Sequence, residues 1–434
     1  MKRSLFMVVF LLIFVSVTYG EDYTGTLKDA QYKIRVPENW NGVLLMYAHG
    51  YGYIERYNQH QFDFSYADAA PGGEGMENFL LSQGYALAGT TFSGTGWQVK
   101  EGMHEIVSLA GLFNGLVGKP KKIILIGYSM GGVIALKSAE EVPLYDGIIA
   151  GCTPTSTSKL FDLTGAGALA YDAAFGWPES WGTWYDVRDN LTFSEVASVI
   201  SDQLDVSKPG FPTNFVKFEF MRRLFDTPDS WFYTFPNGAP GLFFFDMFFL
   251  TEGRAELEMR AKGPIVQNAD HVYVLSPEDR GYLNFLAGAM GVSINFDSIL
   301  TSMNSRTTVT ADKPQRHYLE KYFDPSGELQ KPVITIHSTN DVLVPEFFET
   351  VLAETVETAN KKGMLLQVFT ADPGHCTFTP PQLLSTIRAM EYWLEYGTKP
   401  GDAFFPESFP DFPENPAGFK PLSYTPGPWP IGKK

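Results

Sequence analysis

Cysteine and basic residues are both scarce in this chain. Two cysteines, Cys152 and Cys376, occur in 434 residues, which is too few for a scaffold built on disulfides. Lys and Arg total 33 against 49 Asp and Glu, a net charge of −16, or −18 (31 against 49) without Lys2 and Arg3. So acidic a chain lacks the basic surface that nucleic-acid binding requires, and an anionic membrane surface would repel it.

Long hydrophobic runs are missing after the first twenty residues. Lys2 and Arg3 precede an apolar run from Leu5 to Val15, which small or polar residues follow. This pattern is typical of a cleaved signal peptide, and the run is shorter than the roughly 20 residues of a membrane-spanning helix. We therefore expect residues 1–20 to be a signal peptide. The mature protein is then secreted or periplasmic, with no stable membrane insertion.

Short apolar runs alternate with helical patterns in two parts of the chain. Strand-like runs occur at 32–37, 43–48, 86–92, 123–126 and 147–150, and again at 333–336 and 365–369. Strands that alternate with helices over short connections predict a mostly parallel sheet covered by helices on both faces. The sequence therefore predicts an α/β core formed by residues 21–152 and 326–400.

The segment between the two core parts has a different character. Residues 153–325 show no strand series and mix helical stretches with Trp, Phe, Gly and Pro, which predicts a mainly helical cap. Its aromatic residues suit an apolar or aromatic ligand, although most of them can equally form the cap's own core. They include Phe211, Phe215, Phe218, Phe220, Trp231, Phe232, Tyr233, Phe243, Phe244, Phe245, Phe248 and Phe249. Residues 401–434, rich in Pro and Phe, predict an extended tail packed on the core.

A serine motif follows the strand at 123–126 directly. Residues 127–131 read Gly-Tyr-Ser-Met-Gly and fit G-x-S-x-G. Placed between a buried strand and a helix, this pattern indicates a nucleophile elbow, whose sharp turn leaves no room for large side chains beside the serine. We therefore predict Ser129 as a nucleophile. A glycine-rich turn without chemistry is the alternative.

An acid and a base are available at the same predicted sheet edge. Asp341 follows the strand at 333–336, and His375 follows the strand at 365–369. A serine hydroxyl needs a base, and the base needs an orienting carboxylate. His337 is a rival base, but it lies only four residues before Asp341 on the same loop. We therefore predict Asp341 and His375 as the partners of Ser129.

The first buried strand ends in a His49-Gly50 turn. A loop at this place can supply one N–H group of an oxyanion hole, and the residue after the nucleophile supplies the other. We predict the backbone N–H groups of Tyr51 and Met130 as these donors, with an ordinary tight turn as an equal alternative. The sequence shows no H-E-x-x-H motif and no paired Cys/His spacing, so we expect neither a metal nor another cofactor.

With these motifs the chain resembles the α/β-hydrolase superfamily over about residues 25–152 and 328–398. The resemblance implies a serine nucleophile and a cap inserted after the sixth strand. The His375-Cys376 pair is similar to the tannase and feruloyl-esterase group, in which a cysteine beside the catalytic histidine bonds one beside the serine. Here Tyr128 stands at the latter place. Cys152 can substitute, which implies a Cys152–Cys376 disulfide, with two free thiols as the alternative.

These features together favour an exported serine hydrolase. The expected substrate is a small-molecule or polymeric carboxylic ester with an apolar or aromatic acyl group. One alternative is an exported aminopeptidase of the same fold, with Glu252, Glu256 or Glu258 holding a substrate ammonium, although a solvated helix face explains these residues more simply. The other alternative is a non-catalytic binding module. The natural ester and the oligomeric state stay open.

Overall fold

The structure is a computed structural model, and it describes residues 19–52, 67–188, 193–228 and 251–434. Residues 1–18 of the predicted signal peptide and the predicted cap aromatics from Trp231 to Phe249 lie outside the described residues. Among the residues described, we find no helix with the length and apolar character to span a membrane.

The elements follow one another in the alternating order that the sequence predicts. The strands are β1 (Tyr19–Leu27), β2 (Ala30–Pro37), β3 (Val43–Ala48), β4 (Ala86–Thr90), β5 (Lys122–Tyr128), β6 (Gly147–Gly151), β7 (His271–Val272), β8 (Val333–Ser338), β9 (Leu365–Thr370) and β10 (Gly432–Lys433). The helices of the core are α1 (Gly73–Ser82), α2 (Val99–Leu116) and α3 (Met130–Glu141). Those between β6 and β8 are α4 (Thr157–Phe175), α5 (Phe193–Gln203), α6 (Phe211–Leu224), α7 (Glu252–Ala261), α8 (Pro277–Ala289), α9 (Phe296–Asn304) and α10 (Lys313–Tyr322). The last two are α11 (Phe347–Thr358) and α12 (Pro380–Tyr396).

The main sheet has eight strands in the order β1-β2-β4-β3-β5-β6-β8-β9. From β4 to β9 all neighbours are parallel, whereas β1 and β2 join antiparallel at one edge. β4 and β6 are buried at every position because helices cover both faces. The predicted fold class, a mostly parallel sheet of the α/β-hydrolase type, is confirmed.

The register of the central strands brings their carboxyl ends to one edge. Gly127 of β5 pairs with Ala48 of β3 on one side and with Ala150 of β6 on the other. The pairing continues to β8 and β9, where Gly151 of β6 pairs with Ile336 of β8 and Ile336 pairs with Val368 of β9. The loops that follow these strands therefore leave the sheet side by side.

β1 is absent from the sequence prediction, which begins the strands at residue 32. Its side chains are mostly exposed and polar because it lies at the edge of the sheet. Tyr23 and Leu27 pack partly against the core, but the strand has no run of buried apolar residues, and its pairing with β2 defines it.

The segment between β6 and β8 is mainly helical. Its described aromatic residues pack largely against one another, and Phe218 and Phe220 are fully buried. Phe218 packs on Phe175 of α4, and Phe220 stacks on Phe296 of α9. These rings therefore form the core of the insert and do not line an open cleft.

The C-terminal segment, residues 401–434, packs on the sheet and ends on the insert. Phe405 and Phe419 are buried and meet edge to face, with ring centroids 5.1 Å apart. The backbone N–H of Lys420 donates to the carbonyl of Phe369 in β9 at 2.7 Å. At its end, β10 pairs with β7 of the insert.

Removal of a buried ring from this segment should destabilise the protein. Phe419 is 4% exposed, so Phe419→Ala is expected to lower the free energy of unfolding by about 3 kcal/mol, within the range for buried Phe. Phe285→Ala is the matched control because Phe285 is 74% exposed, and it should change stability by less than about 0.5 kcal/mol. Urea denaturation measures both. Equal losses of unfolding free energy in the two variants would show that burial of Phe419 does not stabilise the protein.

Candidate active site

Ser129 lies at the turn between β5 and α3. Its backbone has φ 57° and ψ −122°, a combination that non-glycine residues rarely adopt. The turn places the serine at the N-terminus of α3, where free N–H groups and the helix dipole favour negative charge. A strand, a strained serine and a helix in this order form the structural context that a nucleophile elbow requires.

Two glycines make the turn possible. A Cβ atom on Gly127 would overlap the carbonyl oxygen of Gly131, and a Cβ on Gly131 would overlap the carbonyl oxygen of Ala48. The backbones of β5, α3 and the end of β3 therefore approach one another more closely than any side chain allows.

The turn after β3 packs against this serine. A Cβ placed on Gly50 would lie 3.4 Å from the Ser129 Cβ and 3.9 Å from its Oγ. The Nδ1–H of His49 donates to the carbonyl of Gly50 at 2.7 Å, and burial lowers the pKa of His49 despite its backbone hydrogen bonds. Since a trans peptide directs its C=O and N–H oppositely, this bond turns the Tyr51 N–H away from His49. Met130 follows Ser129 directly in the chain, and Tyr51 follows Gly50, whose turn packs on the serine; their assignment as the two donors stays a prediction.

Asp341 is fully buried in the loop after β8. Its Oδ1 accepts the backbone N–H groups of Leu343 at 3.0 Å and Val344 at 2.9 Å. Its Oδ2 accepts the Nδ1–H of His375 at 2.7 Å. Three N–H donors thereby compensate the desolvation of the carboxylate.

His375 lies in the loop after β9 with its ring 16% exposed. Because Nδ1 donates to Asp341, the other nitrogen, Nε2, carries the lone pair in the neutral ring. Nε2 is buried and finds no hydrogen-bond partner among the described residues. An imidazole held in this tautomer, with a free acceptor nitrogen, can take a proton from a hydroxyl.

Cys152 connects the serine to the histidine. The Ser129 N–H donates to the carbonyl of Gly151 at 2.9 Å, and Cys152 follows directly at the end of β6. Cys152 forms a disulfide with Cys376, and a ring nitrogen of His375 lies within 4.8 Å of the Cys152 sulfur. The implied disulfide is thus present, and its sulfurs offer no thiolate for a metal. The structure brings Ser129 and His375 to the same edge.

No hydrogen bond links the Ser129 hydroxyl to His375 in the described part of the chain. Bonds of this kind often tighten only when a substrate is in place. The neighbouring loops are nevertheless firmly joined, because the Gly374 N–H donates to the carbonyl of Asn340 at 3.3 Å. From the helix side, Gln382 of α12 donates to the Asp372 carboxylate at 2.7 Å.

His337, the alternative base, is not available to accept a proton from a substrate or from Ser129. It is fully buried; its Nδ1 donates to Glu349 Oε1 at 3.0 Å, and its Nε2 donates to the carbonyl of Val344 at 2.7 Å. Burial lowers the pKa of His337, but the hydrogen bond and charge of Glu349, with the charge of Asp341, outweigh it and raise the pKa to about 9. His337 is therefore a buried cation without a free acceptor nitrogen.

Glu349 is the polar residue at this site that the sequence analysis missed. It lies on the buried face of α11 between Phe348 and Val351, and it is fully buried. One sequence feature could have indicated this pair: a glutamate lies among apolar helix positions, 12 residues after a histidine at the end of an apolar strand. Each residue alone has many explanations, and only the fold pairs them.

The glutamates considered for an aminopeptidase are not on a solvated helix face. Glu256 and Glu258 of α7 are buried, and both oxygens of each are engaged. Glu256 bonds Arg260 and the Trp97 N–H, whereas Glu258 bonds Arg254 and the Val187 N–H. Glu252 is buried too. The interpretation of these side chains as solvated was wrong because each pairs within the fold.

The disulfide predicts sensitivity to reduction. It joins residues 224 positions apart, and closing so long a loop restricts the unfolded chain, so its loss should cost about 3 kcal/mol or more. We expect dithiothreitol to lower the Tm of the wild-type protein. The double variant Cys152→Ser/Cys376→Ser should begin with the lower Tm and not respond to dithiothreitol. Two free thiols in unreduced protein would contradict the bridge.

His337 predicts a pH-dependent stability. Its pKa of about 9 in the folded protein exceeds the ordinary value of 6.5, so its protonation stabilises the fold fully below about pH 6.5. That contribution, about 3 kcal/mol, is lost as the pH rises through about 9. Urea unfolding at several pH values in this window measures it. Glu349→Gln should remove most of the dependence, and an unchanged slope in that variant would contradict the assignment.

The chain is similar to several solved structures at low sequence identity. No protein-family model and no curated protein matches the sequence. An esterase of Pyrococcus furiosus is 13% identical over 88% of this chain and 90% of its own, with a TM-score of 0.36. Feruloyl esterase B of Aspergillus oryzae is 16% identical over 88% and 80%, with a TM-score of 0.39. The acylaminoacyl peptidase of Pyrococcus horikoshii is 11% identical over 89% and 42%, with a TM-score of 0.42. Likeness at this level says nothing about the substrate; the strand order of its own sheet gives this chain the α/β-hydrolase fold.

Proposed function

We propose that the protein is a serine hydrolase that cleaves carboxylic esters through an acyl-serine intermediate. The observation that carries this proposal is the hydrogen bond of 2.7 Å from His375 Nδ1 to Asp341, which leaves the buried Nε2 free at the edge where Ser129 lies. A strained serine at a helix N-terminus beside such a ring is the arrangement that activates a hydroxyl as nucleophile.

The reaction follows from these roles. Ser129 Oγ attacks the ester carbonyl as His375 Nε2 takes its proton, and Asp341 stabilises the imidazolium. The N–H groups of Met130 and Tyr51 hold the oxyanion, each contributing about 2.7–4 kcal/mol where such donors have been measured. His375 returns the proton to the departing alcohol. A water molecule then attacks the acyl carbon as His375 takes its proton; the bond from the acyl carbon to Ser129 Oγ breaks, the acid leaves, and His375 returns the proton to Oγ.

We further propose an apolar or aromatic acyl group, because aromatic residues surround the turn that packs against the serine. Tyr51, which follows Gly50, packs edge to face on Trp97 at 5.3 Å, and His49 stacks on Phe92 at 4.1 Å. Trp97, Phe92 and His49 are buried and support the His49-Gly50 turn, and Tyr51 is the partly exposed ring of this group. For an aminopeptidase, by contrast, Glu256 and Glu258 have no free oxygen with which to bind a substrate ammonium.

Export forms part of the proposal. The leader pattern at residues 1–20 supports it, and so does the Cys152–Cys376 disulfide. Disulfides persist in oxidising compartments and are rare in the cytosol. We therefore propose a secreted or periplasmic location.

Ser129→Ala should abolish hydrolysis while the fold persists. We expect kcat/KM for p-nitrophenyl esters to fall by about 10⁴-fold or more. The same variant should no longer react with a fluorophosphonate probe. Ser305→Ala is the control, because Ser305 is an exposed serine of the insert.

Retained turnover in Ser129→Ala would refute the assignment of the nucleophile. Wild-type protein that neither hydrolyses esters nor reacts with the probe would favour the binding module. Activity on aminoacyl-naphthylamides without activity on esters would favour the peptidase instead.

A further inference from the structure

The Asp341 carboxylate has a second histidine neighbour besides His375. Nε2 of His337 lies 3.8 Å from Asp341 Oδ2, and the side chains of both residues are 0% exposed. His337 is bonded to the same loop, because its Nε2 donates to the carbonyl of Val344 at 2.7 Å. The N–H of Val344 in turn donates to Asp341. Val344 therefore connects the two side chains: its N–H group binds the Asp341 carboxylate, and its carbonyl group binds the His337 ring.

The hydrogen bonds of His337 require two ring protons. A backbone carbonyl accepts from Nε2, and a carboxylate, that of Glu349, accepts from Nδ1 at 3.0 Å. Neither partner can donate, so a neutral ring would leave one nitrogen without a hydrogen bond. With Glu349 ionised, this geometry makes His337 an imidazolium.

Glu349 also accepts hydrogen bonds at its other oxygen, which favours the carboxylate form. Its Oε2 accepts the Thr335 hydroxyl at 2.7 Å and the Gln367 amide at 2.6 Å. Thr335 and Gln367 belong to β8 and β9, the strands whose loops carry Asp341 and His375. The network joins α11, both strands and the acid loop beneath the proposed catalytic residues.

We propose that His337 is a positioning residue whose positive charge, maintained by Glu349, fixes the Asp341 loop and offsets part of the negative charge that Asp341 presents to His375. This inference deepens the proposed hydrolase function, and it rests on that function for its consequence in catalysis.

Several charged groups surround His337, and their signs define the expected effect. Glu349 of α11 and Asp341 of the acid loop are in direct range, and Glu346, just before α11, is a further acidic neighbour whose carboxylate accepts the Tyr424 hydroxyl. His337 is the cation of this group; its Nε2 is near Asp341 and its Nδ1 bonds Glu349, so the ring lies between the two carboxylates. Its charge should therefore disfavour protonation of His375, and its loss should raise the pKa of His375.

Glu349→Gln removes the charge without removing the contacts. The amide oxygen of the new side chain can accept from Thr335 and Gln367, and its NH₂ can donate to Nδ1 of a neutral His337. The Nε2–H of that ring still donates to Val344. Both charges of the pair disappear. Because the His337 ring lies between Glu349 and Asp341, we expect the loss of its positive charge to determine the sign of the change at His375. We expect the pKa of His375 to rise by about half a unit to one unit.

Two measurements test the proposal. In ¹⁵N-histidine NMR spectra at pH 7.5, wild-type His337 should show both nitrogens protonated, and in Glu349→Gln it should show one. NMR titration then gives the pKa of His375 in each protein without any need for activity. In parallel, the acid limb of the kcat/KM profile for a p-nitrophenyl ester should shift to higher pH in the variant.

Glu77→Gln is the matched control. Glu77 is a buried glutamate at the opposite side of the sheet, paired with Lys33 and Arg35, so its loss should lower stability and leave both the His375 titration and the acid limb unchanged. A neutral His337 in wild type, or an unchanged pKa of His375 in Glu349→Gln, overturns the proposal.

The same data separate this inference from the proposed function. If the His375 titration shifts but no ester is cleaved, the electrostatic role stands and the hydrolase assignment fails. If Ser129-dependent hydrolysis is present and neither the titration nor the acid limb moves, the hydrolase stands and the role of His337 fails. If Glu349→Gln does not fold, the protonation of wild-type His337 decides the outcome.

Discussion

The hydrogen bond from His375 Nδ1 to Asp341 Oδ2 sets the chemistry of this edge of the sheet. It selects the tautomer, orients the ring and leaves Nε2 as the acceptor. For this bond to hold, Asp341 must stay ionised although it is fully buried, which is costly unless donors replace the lost water. The backbone N–H groups of the acid loop and the nearby imidazolium of His337 meet that requirement.

Four of the eight non-glycine residues with positive φ among the described residues lie at the same edge. Among the described non-glycine residues with positive φ are Phe92, Ser129, Cys152 and Cys376, all in turns that follow sheet strands. Conformations of this kind cost about 1–3 kcal/mol each and persist only where the surroundings enforce them. Here the aligned strand ends and the disulfide supply that constraint. The strain supports the view of this edge as a functional site independently of any motif.

The sequence predicts the central strands well because their apolar runs are buried on both faces. The strand at Val43–Ala48 agrees at both ends, and the strand-turn-helix around Ser129 lies where the motif requires. β1 was missed because an edge strand exposed to water shows no buried pattern. The pairing of Cys152 with Cys376 came from a family resemblance, since spacing along the chain cannot establish contact. The His337–Glu349 pair could not be predicted either, because its meaning depends on how α11 packs against β8.

α7 shows most clearly where local patterns fail. Its charged residues predict a solvated face, yet the helix is buried. The carboxylates of Glu256 and Glu258 each pair with an arginine of the same helix, four residues away, and with a backbone N–H group from another part of the chain. One of these N–H groups belongs to Trp97, whose indole also donates to the carbonyl of Gly253 at 2.8 Å. Trp97 packs on Tyr51, the residue after the turn that touches Ser129. The position of the Tyr51 backbone therefore depends on the insert as well as on the sheet. A change in the insert near α7 would reach the serine through the loop that faces it, without any contact to Asp341 or His375.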